Sequence, residues 1–199
     1  MSELTLVRHG RSSHAETAWV DAHGLLRWRA AYDEAGIASD SAPPAALVSV
    51  ASRGATIVAS TLPRAVASAE RLSTGAGRRE PVLQSALLRE IELPLPTIDG
   101  IRLPLAGWAT LTGVRLLGET LRPGTRDAAS ARLAEVERAR AAAAWLDELV
   151  VARGPVLVVT HAAFRSYLAR ALLATGWRGP RFGAMGHWSA WPFSRPAMR

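Results

Sequence analysis

Three short apolar runs constrain this chain more than any other feature: LTLV (4–7), ATIVAS (55–60) and VLVVT (156–160). Each has the length and the β-branched content of a buried strand, and each leads into a segment with helical spacing. The stretch 12–36 carries serine and acid early and then apolar residues three and four apart. It is expected to be helical in pieces, interrupted at Gly24 and ended at Gly36. Residues 38–54 read as a loop and a helix, opened by Pro43–Pro44 and closed by Gly54. PRAVASAERLS (63–73) is a helix with proline in its first turn, and PVLQSALL (81–88) is a further strand with its exit.

The texture changes over residues 91–124. Four prolines and five glycines lie there among apolar residues without a clean period, so an irregular insertion with a short helix near Leu105–Leu117 is expected. Regularity returns in the Ala-, Arg- and Glu-rich helix at 126–153, ended by Gly154–Pro155. A helix over 162–176 follows the VLVVT strand, and HWSAWPF (187–193) reads as a terminal strand. Strands alternating with helices predict an α/β class: a three-layer sandwich, a mostly parallel sheet with helices on both faces. At 199 residues the chain is expected to be a single domain, 1–199, carrying the 91–124 insertion near its functional site.

Composition narrows the function classes. Without cysteine there is no disulfide, thiolate metal site or cysteine nucleophile. All 24 basic residues are arginine and the net charge is +7, but the arginines are scattered rather than drawn into one stripe with interleaved aromatics. That pattern argues against nucleic acid as partner, while the positive field favours small anionic ligands. No apolar run approaches the ~18–20 residues of a membrane helix, and no basic segment followed by an apolar one opens the chain. A soluble cytoplasmic protein with no membrane partner is expected. Oligomeric state is not legible in the chain.

In open α/β sheets ligands sit beyond the carboxyl ends of the strands. The first strand exits into Arg8-His9-Gly10, and the second through Ser60-Thr61-Leu62-Pro63 into Arg64. The third exits into Arg89-Glu90, and VLVVT into His161. Two histidines, arginines and a carboxylate thus converge on one sheet edge. Arginine offers a fork of donors matched to phosphate oxygens. Neutral imidazole is a competent nucleophile toward phosphorus, and a carboxyl group can protonate a departing alkoxide.

Four stretches, LTLVRHGRSS, ASTLPRAVASAE, LLRE and VVTHAAFRSYLA, resemble in order the signatures of the histidine phosphatase superfamily, the phosphoglycerate mutase-like fold. The resemblance implies a metal-independent phosphomonoester hydrolase that needs no cofactor, acting on a small-molecule phosphoester through a phosphohistidine. Carried over residue by residue, it makes His9 the nucleophile and Glu90 the general acid and base. Arg8, Arg64 and His161 hold the phosphoryl oxygens, and Ser12 adds a further hydrogen bond. Glu92, two residues on, is the alternative acid.

Two departures stand out. Ala162-Ala163 replaces a glycine common after the second histidine, and Ala15 stands where many members carry a phosphate-binding asparagine. A phosphoglycerate mutase-type phosphotransferase, or a phosphate-binding module without turnover, are the alternatives. For the substrate pocket the candidates are His14, Arg102, Trp108 and Arg115, although Trp108 and its leucine neighbours equally suit packing of the insertion. His23 and His187 match no signature and are expected to be structural or surface residues, and Arg11 to face solvent at the rim.

Overall fold

The computed structural model describes residues 2–14, 19–92, 95, 98, 100–121 and 126–196, and for 116–121 and 126–128 the backbone alone. A five-stranded sheet forms its centre. It holds β1 (Ser2–Arg8), β3 (Thr56–Ser60), β4 (Leu83–Ser85), β6 (Val156–Thr160) and β7 (Ala190–Arg195), in the order β4-β3-β6-β1-β7. The first four are mutually parallel; β7 alone runs antiparallel, against β1 from Ser2↔Arg195 to Val7↔Ala190. The expected three layers are present. Alternate residues point to opposite faces of a strand, and this alternation sorts the core. Leu4, Leu6, Val58, Val156 and Val158 face one way, onto Ala142, Leu146, Phe164 and Leu168. Those partners belong to α5 (Arg126–Arg153) and α6 (Ala162–Ala174). Val7, Ile57, Ala59, Leu157 and Val159 face the other way, onto Leu47 and Ala51 of α2 (Ala45–Ser52) and Ala65, Ala69 and Leu72 of α3 (Pro63–Gly75). Each fully buried Leu or Val in these layers contributes about 1.5–3 kcal/mol.

Several expectations are corrected. Gly24 does not interrupt a helix: α1 runs unbroken from Ala22 to Glu34, with Asp21 as N-cap accepting from the Gly24 N–H at 2.7 Å. The missing side chain matters because a Cβ on Gly24 would lie 2.9 Å from Val20 Cβ, where the chain enters the helix. Val20 belongs to β2 (Trp19–Val20), which pairs antiparallel with β5 (Leu103–Pro104) in a ribbon that the sequence does not announce. The insertion is more regular than its composition suggests, because α4 spans Leu105–Leu121. Its Trp108, with Ala22 and Leu25, forms a separate small core under the ribbon. The last strand begins at Ala190, three residues later than expected, so His187, Trp188 and Ser189 belong to the loop before it.

Candidate active site

Strand register brings the two signature histidines together. Arg8 pairs with Thr160 across the parallel strands β1 and β6, so His9 and His161 emerge side by side one residue later. Their ring centroids are 5.1 Å apart and both are buried. The His9 Nδ1 lies 2.7 Å from the Gly10 carbonyl oxygen. A carbonyl only accepts, so Nδ1 carries the proton and Nε2 keeps its lone pair. Burial pushes the His9 pKa down to about 3. The Gly10 bond opposes this, while Arg64, Arg8 and His187 reinforce it. The ring is therefore a neutral base with Nε2 unprotonated at neutral pH. His161 is also held well below its usual value, first by burial and then by His9 and Arg64. Its Nε2 meets Ser60 Oγ at 2.8 Å, and its buried Nδ1 has no hydrogen-bond partner.

The arginines complete a cationic wall. Arg64 stands in the first turn of α3, where Pro63 opens the helix, and is wholly buried. It donates through Nη1 to Asp33 Oδ1 at 3.0 Å and to the Tyr32 carbonyl at 3.1 Å, while its guanidinium lies 4.3 Å from the centre of the Tyr32 ring. The Nε groups of Arg64 and Arg8 are buried and unpaired. Arg8 reaches through Nη1 to the Met185 carbonyl. Buried donors without partners are rare in native proteins. Two of those here belong to arginines close enough to His9 to act on its proton affinity, and a third unpaired nitrogen is His161 Nδ1. Arg165 Nε, Trp28 Nε1 and His14 Nε2 are also unpaired. Ser12 is buried and its Oγ accepts from the His14 N–H at 3.2 Å, which leaves its hydroxyl proton to donate.

Glu90 is drawn to the N-terminus of α6. Its carboxylate accepts from Phe164 N–H at 2.9 Å and Ala163 N–H at 3.4 Å, so it sits beside His161, the N-cap of that helix. Ala162 and Ala163 thus occupy the helix turn on which the carboxylate rests. Glu92 is exposed, whereas the Glu90 carboxylate is carried to the helix turn beside His161. His14 closes an aromatic ladder against Arg64: its ring lies 5.5 Å from Trp28, which stacks on Tyr32 at 5.0 Å. Arg11 pairs with Asp40 and is half exposed. His23 is exposed.

The other pocket candidates lie in the insertion. Trp108 is 1% exposed and donates through Nε1 to the Val20 carbonyl, so it is core of the insertion rather than a substrate contact. Arg102 donates to the Trp19 carbonyl at 2.9 Å and fastens the β2–β5 ribbon. Arg115 lies exposed on α4. Ala15 lies outside the described residues. Among the described residues no group of three or more His, Asp or Glu side chains could hold a metal ion, and no helix is long and apolar enough to cross a membrane.

The structure also adds residues that the sequence did not disclose. His187, expected on the surface or in a structural role, has its ring 5.7 Å from that of His9. Because β7 is antiparallel, the loop before it lies at the same sheet edge as the exits of the parallel strands, and a strand's direction is not written in its composition. Asp33, Tyr32 and Ser60 support Arg64 and His161 from distant segments. Gly10 is needed for space rather than for an unusual turn: a Cβ there would lie 2.7 Å from both Ser41 Oγ and Trp188 Cζ2.

No family model and no curated protein matches the chain. Solved structures do. A mycobacterial glucosyl-3-phosphoglycerate phosphatase complexed with VO3 superposes with a TM-score of 0.57 at 21% identity, over 98% of this chain and 91% of that one. Two proteins described as mycobacterial hydrolases 1 and 2 give TM-scores of 0.55 and 0.58 at 20% and 21% identity. They cover 96% and 98% of this chain, and 90% and 83% of their own. The chain has the fold of these proteins, the phosphoglycerate mutase-like sandwich that the four signatures imply.

Proposed function

We propose that the protein is a phosphomonoester hydrolase working through a phosphohistidine on His9. One observation carries this: a buried, neutral imidazole with its Nε2 lone pair free, near the buried, unpartnered Nε groups of Arg8 and Arg64 and the unpartnered Nδ1 of His161. Nε2 attacks phosphorus, and the bond to the ester oxygen breaks with its electron pair leaving on the alkoxide. Arg8, Arg64 and His161 hold the three phosphoryl oxygens as their charge spreads, with Ser12 adding a donor. Glu90 delivers a proton to the alkoxide and then removes one from the water that attacks phosphohistidine. The step returns His9 to its neutral form and releases inorganic phosphate. The similarity to a glucosyl-3-phosphoglycerate phosphatase supports a small, soluble phosphoester as substrate, met in the cytoplasm.

The test is a screen of the purified protein across sugar phosphates, phosphoglycerates, nucleotides and phosphoserine, with His9→Ala as blank. Wild type is expected to release phosphate and to show a phosphoenzyme stable to alkali and labile to acid. His9→Ala is expected to lose at least about a thousandfold in turnover, because the site residues act as a unit. Equal phosphate release by the two proteins would sink the assignment.

A further inference from the structure

The loop 184–189 is built with more care than a connection to an edge strand requires. Arg165, wholly buried on α6, donates through Nη1 to the Ser189 carbonyl at 2.7 Å and to Ser189 Oγ at 3.0 Å, and through Nη2 to the Ala184 carbonyl at 2.9 Å. Its guanidinium lies 4.2 Å from the centre of a Trp191 ring that is itself buried. Arg8 binds the Met185 carbonyl, and its backbone exchanges hydrogen bonds with Trp188 N–H and the Ser189 carbonyl. Trp188 adopts a φ of 60°, the only positive value at a non-glycine position among the described residues. A bulky side chain rarely takes this conformation, and such outliers gather at functional sites. The indole is buried, bonded to Ser41 Oγ at 3.0 Å, in the space that Gly10 leaves open.

All of these contacts hold one side chain beside the nucleophile. His187 is exposed, whereas His9, Arg64 and His161 are buried. A phosphoryl group seated against the buried residues would therefore turn its ester oxygen and organic part toward the mouth, where His187 stands 5.7 Å from His9. We propose that His187 is a third active-site imidazole, whose ring N–H donates a hydrogen bond to the ester oxygen of the departing group. This rests on the hydrolase assignment above and adds a residue that discriminates between leaving groups. Partial desolvation on the side that faces the site, with Arg8 and Arg11 nearby, lowers the His187 pKa. The ring is therefore a neutral donor at pH 7 and leaves proton delivery to Glu90.

A hydrogen bond to the ester oxygen matters most when that oxygen leaves with a full charge. kcat/KM of wild type, His187→Ala and His187→Asn is to be compared on 4-nitrophenyl phosphate, a good leaving group, and on glycerol phosphate, a poor one. His187→Ala is expected to lose about tenfold or more on the alkyl ester (about 1.4 kcal/mol) and less than about threefold on the aryl ester. His187→Asn, which keeps an N–H donor, is expected to recover part of the loss. Vanadate binding, which reports the phosphoryl pocket alone, is expected to stay within about twofold of wild type. Equal losses on both esters, or none, would overturn the leaving-group role while the hydrolase assignment stands. Wild type that binds vanadate but hydrolyses neither these esters nor any of the sugar phosphates, phosphoglycerates, nucleotides or phosphoserine above would overturn the hydrolase assignment and the role of His187 with it.

Discussion

Gly10 illustrates how much one residue can be asked to do. It follows His9, its N–H donates to Ser68 Oγ at 2.8 Å, and its carbonyl sets the tautomer of the His9 ring. Adding a single methyl group forces the Trp188 indole or Ser41 to move, and neither is the free end of a flexible chain. Gly10→Ala is expected to destabilise the fold by about 1–3 kcal/mol, the usual range for overpacking, read as a lower midpoint in urea. Because Trp188 follows His187 directly, the same variant is expected to lose activity beyond any loss of fold. The sequence shows a glycine after Arg8-His9 and supports a tight turn there. The requirement for space comes from residues 31 and 178 positions away, which no local pattern reveals.

Among the elements, the strands and their exits were legible and their accessories were not. Three of the four parallel strands lie where apolar runs place them, because a buried strand needs little more than a short β-branched stretch. The fourth, Leu83–Ser85, is shorter than the 81–88 expected. The ribbon of Trp19–Val20 with Leu103–Pro104 was not legible. Two-residue strands have no period, and their pairing depends on Trp108 packing beneath them. The loop 184–189 is the clearest case. Its sequence, Ala184 to Ser189, carries no periodic pattern, yet Arg165 fastens it from within the core. Arg165→Met keeps the stem but removes the guanidinium's hydrogen bonds to Ser189 and Ala184, leaving the two carbonyls to the Arg8 N–H and the Trp191 indole N–H. The variant is expected to cost about 1–3 kcal/mol of stability, measured by denaturant unfolding. It is also expected to lower activity on alkyl esters more than on aryl ones, because the loop that aims His187 loosens.

At the scale of the whole molecule, the burial of the site's histidines bears on acid stability. His9 and His161 are folded into the core as neutral bases, and the His9 pKa falls from 6.5 to about 3. Between those values the unfolded chain binds a proton that the folded chain refuses, so stability rises with pH through this window and is lost as pH falls. Each such histidine is expected to contribute a slope of up to ~1.4 kcal/mol per pH unit. Urea midpoints measured from pH 7 down to pH 4 should therefore decline, and His9→Gln should make the decline shallower. A slope unchanged in that variant would mean that His9 does not titrate as its burial requires. The sequence by itself determined the layers, the order of the elements and four strand exits bearing Arg8, His9, Arg64, Glu90 and His161, because periodicity and local residue type govern these. Only the tertiary structure decided that His187 faces His9, that Asp33 and Tyr32 brace Arg64, and that Trp108 and Arg102 belong to the insertion's own packing. Those outcomes depend on strand direction, register and contacts between segments far apart in the chain, and the residues that meet there carry no mark of one another in the sequence.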